Sequence, residues 1–131
     1  MTIKEEVQRL IKSGVIKLKC SQDKLCIPII ARLLKKMRAG LTFNAIKIAG
    51  DIICNGHHRY IASLLANVPI DRDPYVITNA TEIKKWESIQ LDEDDWESED
   101  IIHHHNENDA SRNNMKISEL NDLLSNITKK V

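Results

Sequence analysis

Apolar positions along the chain change period several times, and each change predicts an element. Thr2 with Glu5 three residues on forms a capping-box pattern, and Val7, Leu10 and Ile11 follow at helical spacing until Gly14 supplies a left-handed stop. Val15 to Lys19 alternates apolar and basic residues, the pattern of a short strand. Pro28 then opens a helix with Ile29, Leu33, Leu34 and Met37 on one face and Arg32, Lys35, Lys36 and Arg38 on the other, ending at Gly40. From Phe43 to Cys54 the chain predicts a hairpin around a Gly50-Asp51 turn. Asn55-Gly56 breaks its second strand. From His57, the apolar positions Tyr60, Ile61, Leu64 and Leu65 predict a buried helix that ends near Asn67.

Beyond that point the pattern weakens. Pro69 to Ile77 predicts a further short strand, Thr81 caps a helix through Lys85, and Glu87 to Leu91 suits either strand or helix. Residues 92–116 are almost wholly polar or charged and predict a flexible, acidic, His-containing segment outside the core. In residues 117–131, Leu120, Leu123, Leu124 and Ile127 form a clean amphipathic stripe after a Ser118 cap. That stripe must dock on the domain or pair with a second chain. The organisation expected is one α/β (α+β) domain over residues 1–91, a small mixed sheet packed by helices, followed by the acidic segment and the terminal helix.

Charge changes this picture more than composition does. The 131 residues balance 19 basic against 19 acidic side chains, yet residues 1–50 hold 11 basic and 3 acidic ones while residues 82–109 hold 2 and 11. A basic half suits phosphate or nucleic acid, with Arg32, Lys35 and Lys36 as the residues that would face it, and the acidic half suits water, a protein partner or the chain's own basic face. We expect the acidic segment to shield the basic face until a ligand displaces it, or to recruit a basic partner. The apolar share of 42% excludes wholesale disorder. No apolar run approaches a membrane span and the N-terminus carries no signal-peptide stretch, so a cytoplasmic protein without membrane contact is expected. Cys20, Cys26 and Cys54 are odd in number and lack a C-x-x-C pair, so reduced thiols are expected.

The residues that carry chemistry are Cys54-Asn55-Gly56-His57-His58-Arg59-Tyr60, between a strand and a helix. A glycine there lets the backbone turn tightly, and the unpaired N–H groups of the first helical turn favour an anion. Arg59 adds charged donors, and His57 and His58 add groups that titrate near neutral pH. Phosphate is the ligand this set suits. His103, His104 and His105 beside Asp100, Glu107 and Asp109 offer metal-ligand types, but adjacent residues rarely converge on one ion, and no metal site is assigned. Only four glycines are present and none forms a Walker or G-x-G-x-x-G loop.

Asn55-Gly56-His57-His58-Arg59-Tyr60, followed by Ala62, resembles the strand–turn–helix motif of the ParB and sulfiredoxin-like superfamily, written D-G-H-H-R-[YLW] or G-G-C-H-R. The preceding Pro-started helix and hairpin are similar too, and the resemblance covers roughly residues 25–78. It implies a phosphate site formed by Asn55, Gly56, His57, His58 and Arg59, with His57, His58 and Arg59 as catalytic candidates. The activity implied is hydrolysis of a nucleoside triphosphate or transfer of its phosphate, with Mg2+ accompanying the nucleotide. A nuclease or toxin-like effector acting on DNA, and a non-catalytic adaptor that dimerises through its last helix, are the alternatives. Two positions depart from the family pattern. His57 stands where sulfiredoxins carry the nucleophilic Cys, and Asn55 stands where many relatives carry an acid.

Overall fold

Thr2 adopts an extended backbone and its Oγ1 accepts from the Glu5 N–H at 3.1 Å, starting α1 (Ile3–Ser13), which Gly14 closes at φ 77°. A computed structural model of the chain describes residues 1–78 and 81–129. After α1 come β1 (Lys24–Cys26), α2 (Ile27–Arg38), β2 (Ile46–Ala49), β3 (Ile52–Asn55), α3 (His57–Ala66) and β4 (Arg72–Pro74). A 3-10 turn (Trp86–Ser88), β5 (Gln90–Asp92), α4 (Glu99–Arg112) and α5 (Ile117–Lys129) complete the described chain. The fold is mixed α and β. β2 and β3 form the antiparallel hairpin expected around Gly50-Asp51, β4 joins β2 in parallel, and β1 pairs in parallel with β5.

The main core gathers one residue or more from nearly every early element: Val7 of α1, Ile30 and Leu34 of α2, Ile46 and Ile53 of the hairpin, and Tyr60 and Ile61 of α3. Burying each large side chain contributes about 1.5–3 kcal/mol. Two polar handles are satisfied at its edge, where the Trp86 Nε1–H donates to the Leu18 carbonyl at 2.9 Å and the Leu18 N–H donates to the Tyr60 hydroxyl at 3.4 Å. Among the described residues no helix is long and apolar enough to cross a membrane.

Four expectations change. Val15 to Lys19 is not a strand, because within it only Lys19 makes a bridge, to Ile52, and Ser21 just beyond is held by side-chain bonds to His57 and the Ile53 carbonyl instead of a ladder. The helix expected over Thr81–Lys85 is replaced by a bridge between Lys84 and Cys20, which keeps the backbone extended until Trp86 reaches the core. Residues 92–116 are not a structureless linker, since they contain the 14-residue α4. Ser98 caps it, with its side chain accepting from the Ile101 N–H, Glu99 and Asp100 sit in its first turn, and Arg112 sits in its last. α5 starts one residue before Ser118, and Glu119 rather than Ser118 caps it, accepting from the Lys116 N–H at 3.2 Å.

The terminal stripe is used within the chain. Leu120 is fully buried with Leu41 and Ala110 in a second cluster, and Leu123 and Leu124 pack against it; the Ile127 side chain lies outside the described residues.

α4 contributes little apolar burial of its own, with Ala110 its one buried residue. Charge holds the helix and the segment leading into it to α2. Arg32 donates to both oxygens of Asp95 and to Glu97, and the Lys36 ammonium, on a residue 4% exposed, meets Asp109 at 2.7 Å. Removing one member of such a pair leaves the other charge buried and unpaired. Urea denaturation should therefore show Asp109→Ala losing about 3 kcal/mol, the lower end for a buried pair because the carboxylate is partly solvated, while Lys36→Met with Asp109→Leu loses less than about 1 kcal/mol. Equal losses in the two proteins would count against this account.

A candidate phosphate site at the start of α3

β3 delivers Asn55 to the end of the hairpin, and Gly56 turns the chain into α3 at φ 100°. Only glycine fits there. A Cβ would stand 2.6 Å from Ile46 Cγ2 and 2.8 Å from an Arg59 guanidinium nitrogen. With glycine as N-cap, no side chain caps the helix, and His57, His58 and Arg59, whose first-turn N–H groups have no intrahelical partner, line the cleft described below.

The two histidines play a different part from the one expected of them. His57 is buried, tilts against Trp86 with ring centres 6.2 Å apart, and its Nε2 accepts from the Ser21 N–H at 3.0 Å. His58 stands edge-on to Trp96 and its Nε2 accepts from the Cys26 N–H at 2.9 Å, at the residue that precedes α2. An Nε2 that accepts must be unprotonated, so each neutral ring carries its proton on Nδ1. Burial pushes both imidazoles down to about 4; the nearby His58 adds to the effect on His57, while Glu97 opposes it on His58. Neutral rings with Nε2 engaged are not proton donors at pH 7. The assignment of His57 and His58 as catalytic acids or bases is corrected accordingly: they fasten the 21–26 segment to the motif, and their Nδ1–H groups remain as donors.

Arg59 is fixed from the opposite side. Its Nη1 donates to the carbonyls of Asn44 at 2.9 Å and Ala45 at 3.3 Å, and its Nη2 donates to Asn55 Oδ1 at 3.3 Å. All three acceptors are neutral. Burial, and then the neighbouring Arg112, disfavour its charged form.

These residues line one wall of a cleft of about 610 Å³, and Arg32, Lys36 and Phe43 lie along it as well. The acidic segment supplies the other wall. Glu97, His105, Asn106 and Asp109 all line the cleft; the sequence pattern singles out His105 and Asp109 only as metal-ligand types, and nothing in it marks Glu97 or Asn106. The His105 Nε2 meets Glu97 at 2.9 Å, so Glu97 is shared between Arg32 and His105, while His103 turns to Glu107 and His104 to Asn108. The three adjacent histidines thus point to three different partners. Arg32 and Lys36 are occupied by carboxylates and do not form the free nucleic-acid-facing surface expected of them; Lys35 is not among the residues lining the cleft.

Comparison of the chain with protein-family models, with curated proteins and with solved structures finds no match.

Proposed function

We propose that this chain is a ParB/sulfiredoxin-like domain that binds the phosphates of a nucleoside triphosphate at Asn55–Arg59, with hydrolysis or phosphoryl transfer as its activity and Mg2+ arriving with the nucleotide. One observation carries the reading. Arg59 is a half-buried guanidinium at an uncapped helix start, satisfied only by neutral oxygens, so an anion in the cleft would supply its missing counter-charge. His57 and His58 line the same cleft, and with Nε2 engaged their Nδ1–H groups are left as neutral donors, suited to stabilising negative charge that develops on a transferring phosphoryl group.

A nucleotide is favoured over long nucleic acid because the acidic wall and α4 occupy the cations of α2 that a duplex backbone would need. The test is a thermal-shift panel with ATP, CTP and GTP, each with and without magnesium. Wild-type protein should be stabilised by at least one of them, and Arg59→Ala should weaken that nucleotide by tenfold or more, about the contribution of one charge-assisted hydrogen bond. Absence of any nucleotide response in the wild type would overturn the reading.

A further inference from the structure

We propose that His105, on the acidic wall, is the general base of the cleft and takes a proton from the water that attacks the terminal phosphate, with Glu97 as the residue that positions it. The proposal rests on the nucleotide reading of the cleft and assigns the hydrolytic step to a residue outside the sequence motif.

A chain of contacts joins His105 to the motif. The His58 ring stands edge-on to Trp96 with ring centres 5.4 Å apart, Glu97 follows Trp96 directly, and Glu97 Oε2 lies 2.9 Å from His105 Nε2. The other carboxylate oxygen accepts from the Arg32 guanidinium at 2.6 Å, so Glu97 is held on both sides. Ile102, His105, Asn106 and Asp109 recur at helical spacing and all line the cleft, so α4 presents one face to the space that the motif closes from the other wall.

Hydrolysis needs a proton acceptor, and the motif offers none. His57 and His58 each spend the Nε2 lone pair on a backbone N–H and carry the proton on Nδ1. His105 is arranged the opposite way. A carboxylate accepts and does not donate, so Glu97 fixes the proton of the neutral ring on Nε2 and leaves the Nδ1 lone pair open. Arg32 faces Glu97 and Lys36 faces Asp109, so this wall does not set bare carboxylates against an anionic substrate. The Asn106 Oδ1 is buried without a hydrogen-bond partner among the described residues, a second acceptor in the cleft suited to the same water. His103 and His104 do not line the cleft.

In the step itself, one O–H of the water gives its proton to His105 Nδ1 as the water oxygen bonds to the terminal phosphorus. The bond from that phosphorus to the bridging oxygen breaks, and its electron pair leaves with the nucleoside diphosphate. Glu97 stabilises the imidazolium, which returns its proton to solvent from a half-exposed ring.

The experiment measures affinity and phosphate release with ATP, CTP and GTP, each with magnesium, for wild type, His105→Gln, His105→Ala, Glu97→Gln and the Glu97→Gln, His105→Gln double variant. His105→Gln keeps a polar partner for Glu97 but takes no proton, so kcat should fall about a hundredfold while affinity stays within about twofold of wild type. Added imidazole should restore part of the rate in His105→Ala. Glu97→Gln should lower kcat by about tenfold, and the double variant should be no slower than His105→Gln, because Glu97 acts through His105. Wild-type kcat in His105→Gln, a loss of affinity that accounts for its loss of rate, or a His105→Ala rate that imidazole leaves unchanged would each overturn the general base. Additive losses in the double variant would overturn the positioning role of Glu97. If wild type binds nucleotide but releases no phosphate, the base fails and the phosphate site stands. If wild type binds no nucleotide, the reading of the cleft fails and the base falls with it.

Discussion

Stability should fall steeply as the pH is lowered from 6.5 to about 4, before most carboxylates titrate. His57 and His58 have folded-state values near 4, below the 6.5 of an unperturbed imidazole. Between those limits the unfolded chain binds two protons that the folded chain refuses, so acid favours unfolding. The sign is that of a depressed basic group: its stabilising contribution is complete above pH 6.5 and is lost progressively on the way down to 4. Each histidine contributes a slope of about 1.4 kcal/mol per pH unit within that window. Protonating either Nε2 also removes its bond to Ser21 or Cys26, which ties the acid response to the seam these rings close. Asp95, held below its ordinary value by Arg32, acts in the same direction but at lower pH. Urea midpoints measured at half-unit intervals should show the slope in this window roughly halved in His57→Gln and in His58→Gln. An unchanged slope in both variants would mean that these rings do not report the acid response.

The same two residues mark where the sequence stops being informative. Gly14, Pro28, the Gly50-Asp51 turn and the strand–turn–helix at Asn55–Gly56 were legible because each is a local conformational demand, met by φ values or caps that belong to a few residues. That the histidines hold the 21–26 segment was not legible, because their partners are backbone N–H groups 32 and 36 residues away and backbone groups leave no trace in a pattern of side chains. The parallel pair β1–β5 escaped for a similar reason, since three-residue strands that pair Lys24 with Gln90 carry too few positions to show alternation.

α4 is the more instructive omission. Hydrophobic periodicity could not find it, because the helix and the segment leading into it are held to α2 by ion pairs and the helix buries only Ala110. Its terminal signals were nevertheless present: Ser98 as a cap, acids in the first turn and Arg112 in the last. Counted by segment, the charges suggested that the acidic half would shield the basic one, and Arg32 and Lys36 are indeed paired with Asp95, Glu97 and Asp109. Pairing neutralises Arg32 and Lys36 of α2, while Arg59 is met only by neutral oxygens, so on the proposed reading a phosphate would be drawn to the motif rather than to the basic helix. Displacement of the acidic wall by ligand is a separate step, to be tested by the salt dependence of affinity in Asp95→Asn and Glu97→Gln.

Gly56→Ala should be the most damaging single methyl group that can be added to this chain. Two independent costs meet at one atom. The backbone at φ 100° lies outside the region an L-residue occupies comfortably, a strain of about 1–3 kcal/mol. The new Cβ would also stand 2.6 Å from Ile46 Cγ2, on a residue that is fully buried and cannot yield without disturbing the hairpin, an overpacking of about 1–3 kcal/mol more. A loss of about 3–5 kcal/mol is a large share of the stability of a small domain. Gly50 isolates the first cost. Its φ of 61° is also positive, but a methyl group there would meet nothing within 4 Å beyond its chain neighbours, so Gly50→Ala should lose only about 1 kcal/mol. The methyl at position 56 also meets the Arg59 guanidinium at 2.8 Å, so any folded fraction of Gly56→Ala should bind nucleotide more weakly than wild type even where urea denaturation shows the fold intact. Equal stability losses at positions 50 and 56 would refute the close packing of Gly56 against Ile46, and wild-type nucleotide affinity in folded Gly56→Ala would remove Arg59 from the phosphate site.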